Sequence, residues 1–523
     1  MHQPPPRFTR HEVRYHENAS SLFAHLGGTA ATDAVLLESA DITTRSGLQS
    51  VAVLRSSLRV TCNGTRVTVQ PLTASGEVLA AAVREQLAEY AAGDNVYEFP
   101  VPAVEDERER LTATSSVEVL RALTTRAGYG SAAGEDADFP MLVGGFAFDY
   151  LETFETLPQV GEGPNTYPDY QFALAEVLLR IDHQTQTAYL AGVDAAGEGI
   201  DLSELAATID AADPDDAHAY TPAEHPGARL NAEADIKDDA FRGDVAKLKD
   251  SITNGDIYQV VPARGFAADC PDAFAAYQRL RETNPSPYMF YVRGVDRAGS
   301  GYELFGASPE SSLKFDHVTR EVQLYPIAGT RPRGLNPDGS VNHELDTRME
   351  LQLRTDAKEV AEHTMLVDLA RNDMARVAAP GTREVAELLQ VDRYSRVMHL
   401  VSRVTARLAD DLDALDAYRA CMNMGTLTGA PKLRATELLR ELEGVRRGSY
   451  GGAVGYLTGT GDFDTCIVIR SAYVTGGRAI VQAGAGVVRD SNPQAEADET
   501  LHKAYAVLSA IAAAADAELE VTR

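Results

Sequence analysis

The chain is poor in three things. Its 523 residues include only four cysteines, Cys62, Cys270, Cys421 and Cys466, which lie far apart with no CxxC pair and no histidine spacing suited to zinc. This excludes a disulfide scaffold and a structural zinc site, and predicts reduced, mostly buried thiols. Positive charge is also scarce: 48 Lys plus Arg stand against 77 Asp plus Glu, a formal charge of -29. A field of that sign repels nucleic acid and anionic membrane, so neither is an expected partner. A small anionic substrate would need a local cationic or metal-bearing pocket built against it. Long apolar runs are missing too. Stretches such as "LSAIAAAA" from Leu508 fall short of a membrane span, and "MHQPPPRFTRHEVRYHE" at the start has no apolar signal region, so the expected location is cytoplasmic.

What is present is enough chain for more than one ordinary core. Residues 1–212 alternate β-rich runs ("SVAVLRSSLRVTC", "FALAEVLLRI") with helical stretches such as "GEVLAAAVREQLAEYAAG". Residues 213–235 are acidic and rich in Ala and Pro, and read as a linker. Residues 236–515 form a denser second domain, with 516–523 as a tail. Strands come in meander-like groups between helices, among them helical patterns at 356–371, 433–443 and 493–514, without regular βαβ alternation. The fold class is therefore α+β, with mainly antiparallel sheets packed as a sandwich and flanking helices.

Three glycine-rich stretches fail as nucleotide loops. "GTLTGAPK" places Lys432 three residues after Gly429; "GYLTGTGDFD" and "AGAGVVRD" put Asp464 and Arg489 where a third glycine belongs. The stretch "TDAKEVAEHTMLVDLARND" carries Glu359 and Glu362 on one helical face, and "DSNPQAEADETLHKA" carries Glu496 and Glu499. Four converging carboxylates call for protons or a divalent cation, and an all-oxygen set suits Mg²⁺. Spacing leaves a second reading open. Asp356 with Glu359 makes a capping pair, and Asn492 followed by Pro493 starts a helix that puts Glu496 near its positive end.

In order along the chain, "NGDIYQVV", "NPSPYMFY", "GASPES", "PIAGTRPRG", "KEVAEHTMLVDLARND", "GTLTGAPK", "GGAVGYL", "FDTCIVIRSA" and "AGAGVVRDSNPQAEADET" resemble the chorismate-utilising enzymes, in particular their anthranilate synthase component I branch. The resemblance implies the large chorismate-binding fold. It also implies conversion of chorismate and ammonia to anthranilate and pyruvate, a lyase reaction that is the first committed step of tryptophan biosynthesis. On the matching positions, Glu362 and Glu499 are the implied Mg²⁺ ligands, supported by Glu359 and Glu496. Glu310 is the implied general acid at the 4-hydroxyl, and His399 the histidine that assists elimination. Tyr450 and Arg470 are implied chorismate clamps, with backbone donors at Gly329, Thr330, Gly484, Ala485 and Gly486 and a hydroxyl from Thr426. His363 keeps only a supporting role.

Two positions select within the resemblance. Isochorismate-forming members carry a lysine where this chain has Gln259, and aminodeoxychorismate-forming members carry one where it has Ala328. Lacking both lysines, the chain is left with external ammonia, and the resemblance then implies a separate glutamine amidotransferase subunit, as a heterotetramer. "LLESADI" and "NPSPYMFY" resemble a tryptophan feedback site contacted by Glu38, Ser39, Pro287, Tyr288 and Met289, although Gln49 stands where some relatives have lysine. The chain itself contains no tryptophan. The alternatives are an aminodeoxychorismate synthase component I, or a tryptophan-binding regulator without catalysis.

Overall fold

The mostly apolar run "YQFALAEVLLRI" sets the centre of the sheet: as strand Tyr170–Asp182 it is buried on both faces. It pairs along most of its length with Gln49–Asn63. In the computed structural model, residues 6–39, 49–102, 104, 106–128, 139–212, 228–336, 338–393 and 397–523 are described. From Tyr170–Asp182 the ladders run into the second half of the chain. Met141–Phe146 lies between that strand and Ala453–Thr458, and Val35–Glu38 lies between Gln49–Asn63 and Tyr288–Val295.

Further ladders join Tyr288–Val295, Gly301–Ser308, Ser471–Thr475, Arg478–Gly484 and Ala263–Asp269 in that order. The result is one closed hydrogen-bonded network with helices around it, an α+β fold in which the named strands pair antiparallel with one exception. That exception is Ala228–Ala234 with Ala517–Thr522, which lie parallel. Both segments alternate apolar and polar residues, as half-buried strands require. The first ends the expected linker and the second makes up most of the expected tail; residues 213–227 of the linker lie outside the described residues.

Two helices carry the paired glutamates. Ala357–Ala375 is capped by the Asp356 carboxylate, which accepts from the N–H groups of Lys358 and Glu359, and it packs on strands Ile327–Pro332 and Val397–Arg407. Pro493–Ala514 is capped by Asn492 with Pro493 at its first position, and it packs on Arg478–Gly484. The four thiols are free and buried, and burial pushes those of Cys270 and Cys421 up to about 12. Among the described residues no helix is long and apolar enough to cross a membrane.

Candidate functional site

Between these two helices and the sheet lies a cavity of about 640 Å³. The Ala357–Ala375 helix offers Lys358, Glu359 and Glu362 to it, and the Pro493–Ala514 helix offers Glu496, Glu499, His502 and Lys503. The sheet side supplies Glu310, Gly329, Thr330, His399, Thr426, Tyr450, Arg470, Gly484 and Gly486. All the residues expected at a substrate or metal site therefore meet in one place, apart from Ala485. That residue is buried beside the cavity, and its N–H is already given to the Pro262 carbonyl, 3.1 Å away.

Glu310 sits in the tight turn between strands Gly301–Ser308 and Ser311–Asp316. There the Ile467 N–H holds its carbonyl at 3.0 Å, and the side chain is buried. Burial raises its carboxyl to about 8, although the Thr426 hydroxyl, 3.2 Å away, and the Ile327 N–H both favour the charged form. At neutral pH the carboxyl is mostly protonated. Thr426 thus spends its hydroxyl on Glu310.

His399 is moved the other way. Burial, with Arg470 next in weight, brings it down to about 4, so it is neutral at pH 7. Its Nδ1 lies 2.9 Å from the Thr330 hydroxyl. The sheet side of the cavity thus holds both a protonated acid and a neutral base. Arg470, at φ 50, lines the same cavity. Among the described residues its guanidinium forms no ion pair within 4.0 Å, which leaves its fork open for a carboxylate. Tyr450 is buried, and its phenol is raised to about 12 by burial, so it remains a hydroxyl donor.

The carboxylates on the two helices sense one another. Burial raises Glu362, Lys358 opposes that, and Glu359, Glu496 and Glu499 add to it; Glu496 is raised by burial and by Glu499. Lysines one turn away along their helices answer them, Lys358 at 3.6 Å from Glu362 and Lys503 at 2.6 Å from Glu499. The sequence reading missed both lysines as members of the site, although their i,i+4 spacing to the glutamates was a usable signal. The Glu359 N–H keeps its capping bond to Asp356, while the Glu359 carboxylate accepts from Arg331 at 2.8 Å, an arginine that Asp356 shares. The donor set is all oxygen and fits Mg²⁺ in kind, yet among the described residues no three such groups stand close enough to grip an ion as they are.

His363 is buried and turned away from the carboxylates: its Nδ1 lies 3.1 Å from the Ala328 carbonyl and its Nε2 2.7 Å from the Ser402 hydroxyl. Lys432 is absent from the cavity wall and is paired with Asp373 at 2.6 Å. A second cavity, of about 300 Å³, is lined by Glu38, Ser39, Pro287, Tyr288 and Met289, together with Arg180, Tyr456 and Asp464. The five residues expected at a feedback site are therefore neighbours in space. Glu38 is held from behind by the Tyr277 hydroxyl and by Arg281 at 3.3 Å. The Ser39 hydroxyl is buried with no hydrogen-bond partner among the described residues.

Comparison with known proteins points the same way. The chorismate binding enzyme family matches residues 78–509. Anthranilate synthase component 1 of Vibrio cholerae serotype O1 is 48% identical over 517 residues, 96% of this chain and 95% of that protein. Its counterpart from Escherichia coli K12 is 48% identical over 520 residues, 97% of each chain. Among solved structures, anthranilate synthase component I from Streptococcus pneumoniae superimposes with a TM-score of 0.69 at 28% identity, covering 89% of this chain and 92% of that one.

Proposed function

The chain belongs to the chorismate binding enzyme family and to its anthranilate synthase component 1 members, and from that premise we propose how its own residues carry the reaction. The chemistry converts chorismate to anthranilate by amination, as part of tryptophan biosynthesis. Ammonia adds at ring carbon 2 while the 4-hydroxyl departs; a proton then leaves carbon 2, pyruvate is eliminated and the ring becomes aromatic. Each part of that sequence asks for a particular group.

Glu310 is the acid that protonates the departing 4-hydroxyl. The observation that carries the reading is its buried carboxyl, held at about 8 in the wall of a cavity that also bears Arg470, which has no ion pair among the described residues. Arg470 and the Tyr450 hydroxyl take the enolpyruvyl carboxylate, and the Gly329, Thr330 and Gly484 to Gly486 segments line the substrate's other edge. His399, neutral at working pH, assists the elimination. Ala485 lies within the Gly484–Gly486 segment and gives its N–H to the Pro262 carbonyl, not to the cavity.

Mg²⁺ is the cofactor that the all-oxygen set favours, with Glu362 and Glu499 as ligands and Glu359 and Glu496 beside them. Its chemistry is to neutralise the ring carboxylate and hold it in place. Lys358 and Lys503, close by, add positive charge to the same wall. These cations, with Arg470, make the local pocket that an anionic substrate needs within a chain of charge -29.

A component 1 enzyme implies a component 2 partner. We propose a glutamine amidotransferase that delivers ammonia, in a heterotetramer, and a cytoplasmic setting for both. The second cavity takes tryptophan as feedback inhibitor. Its apolar wall from Pro287, Tyr288 and Met289 suits an indole, and the Ser39 hydroxyl, without a partner among the described residues, suits the amino-acid end together with Glu38. Residues 1–212 then carry part of the regulatory contact, through Glu38 and Ser39, while 236–515 supply the rest of it, through Pro287, Tyr288 and Met289, and the reacting groups.

The test is the growth of anthranilate fluorescence from chorismate and ammonium with Mg²⁺, repeated with glutamine plus partner and with tryptophan. Activity should vanish in Glu362→Ala or Glu499→Ala and fall with added tryptophan. Accumulation of an aminated but non-aromatic product would move the chain to the aminodeoxychorismate branch. Tryptophan binding with no turnover would make it a regulator.

A further inference from the structure

The peptide joining Ala328 to Gly329 presents two polar groups in opposite directions. A trans peptide is planar, with its C=O and N–H antiparallel, so fixing one fixes the other. The Ala328 carbonyl accepts from His363 Nδ1 at 3.1 Å. On the opposite side of the strand, the Ile327 N–H donates to the Glu310 carboxylate in the cavity. The Gly329 N–H, opposed to the Ala328 carbonyl, therefore turns toward the side where Glu310 lies.

The Gly329 backbone also bonds to His399, but the residue itself gives the peptide little stiffness. Gly329 has φ 88, the register with Val397–Arg407 slips between Ile327 and Thr330, and a glycine allows its peptide to rotate at little steric cost. His363, by contrast, is fixed from both ends. A carbonyl can only accept, so Nδ1 carries the proton and Nε2 must accept, from the Ser402 hydroxyl at 2.7 Å. Ser402 Oγ in turn accepts from the Leu389 N–H at 3.0 Å. The chain of bonds runs one way, and ends on the Ala328 carbonyl.

We propose that His363 is a positioning residue for substrate binding: by holding the Ala328 carbonyl it keeps the Gly329 N–H aimed at an anionic oxygen of the substrate. The assignment rests on the reading of the cavity as a chorismate site. It gives a use to a histidine that stands next to Glu362 in sequence yet points away from it.

The test compares steady-state kinetics with chorismate and ammonium, alongside thermal unfolding, for the full chain and for His363→Leu, His363→Asn and Ser402→Ala. His363→Leu should raise KM for chorismate about tenfold, the scale of one lost hydrogen bond to a charged group, and lower kcat less. His363→Asn, whose amide nitrogen falls near the Nδ1 position, should recover most of that KM. Ser402→Ala removes only the hydroxyl that orients the ring, and should raise KM by a smaller factor. A packing role would favour Leu over Asn, so an Asn variant no better than Leu overturns the assignment, as does an unchanged KM in His363→Leu. If the Leu variant does not fold, an unchanged KM in Ser402→Ala overturns it instead. In each of those outcomes the wild type still makes anthranilate. A wild type that makes none removes the functional reading itself, and this inference with it.

Discussion

Burial drives two titratable groups of one cavity in opposite directions, Glu310 up and His399 down. Glu310→Gln keeps the shape of the turn and removes the proton, and should lower kcat by about a hundred- to ten-thousand-fold with a smaller change in KM. The wild-type rate should decline above about pH 8 as Glu310 ionises, and on the acid side as His399 protonates toward about 4. Stability follows the same carboxyl. Its folded value lies above its unfolded one near 4.5, so its contribution is complete below that value and is lost as pH rises through about 8. Melting curves across pH should therefore show Glu310→Gln gaining on the wild type between pH 5 and 9; a constant gap would contradict a buried, titrating acid. At this scale the sequence was only partly legible. A glutamate after "SP" in a turn reads as exposed, and only long-range packing against Ile327, Thr426 and Ile467 buries it.

Helices were the elements easiest to read. The Asn492–Pro493 start and the period of the closing helix gave 493–514, and the structure has Pro493–Ala514. Helix caps are local, so they are written locally. Asn492→Ala should cost about 1 kcal/mol of stability and loosen the turn that carries Glu496, measured as a lower Tm and a weaker response of Tm to added Mg²⁺. The strand Glu384–Arg393 was harder. Its sequence "EVAELLQVDR" favours helix by residue type, and it is a strand because Val397–Arg407 pairs with it along two shifts of register. Helix His343–Thr355 also went unread, its apolar residues being few among charges. The pairing of the Glu359/Glu362 and Glu496/Glu499 faces was visible as matched spacing, whereas their meeting in one cavity is set by tertiary packing.

For the whole molecule, ladders that cross from the first two hundred residues to the second half of the chain make the halves interdependent. Residues 228–523 alone would expose the edge of Tyr288–Val295 that Val35–Glu38 covers and the edge of Ala453–Thr458 that Met141–Phe146 covers. Expressed alone, that fragment should aggregate or stay inactive, and co-expression with residues 1–212 should recover soluble, active material on a sizing column. A soluble, active lone fragment would mean that those ladders are dispensable.

The four buried thiols bear on how the two-subunit enzyme can be dissected. A glutaminase of the expected kind works through an accessible thiolate, whereas Cys62, Cys270, Cys421 and Cys466 are all enclosed, and burial raises the thiol in each. An alkylating reagent such as iodoacetamide then acts as a selective scalpel. Treated complex should lose anthranilate formation from glutamine and keep it from ammonium, so a small electrophile can silence the nitrogen supply while the aminating subunit works on.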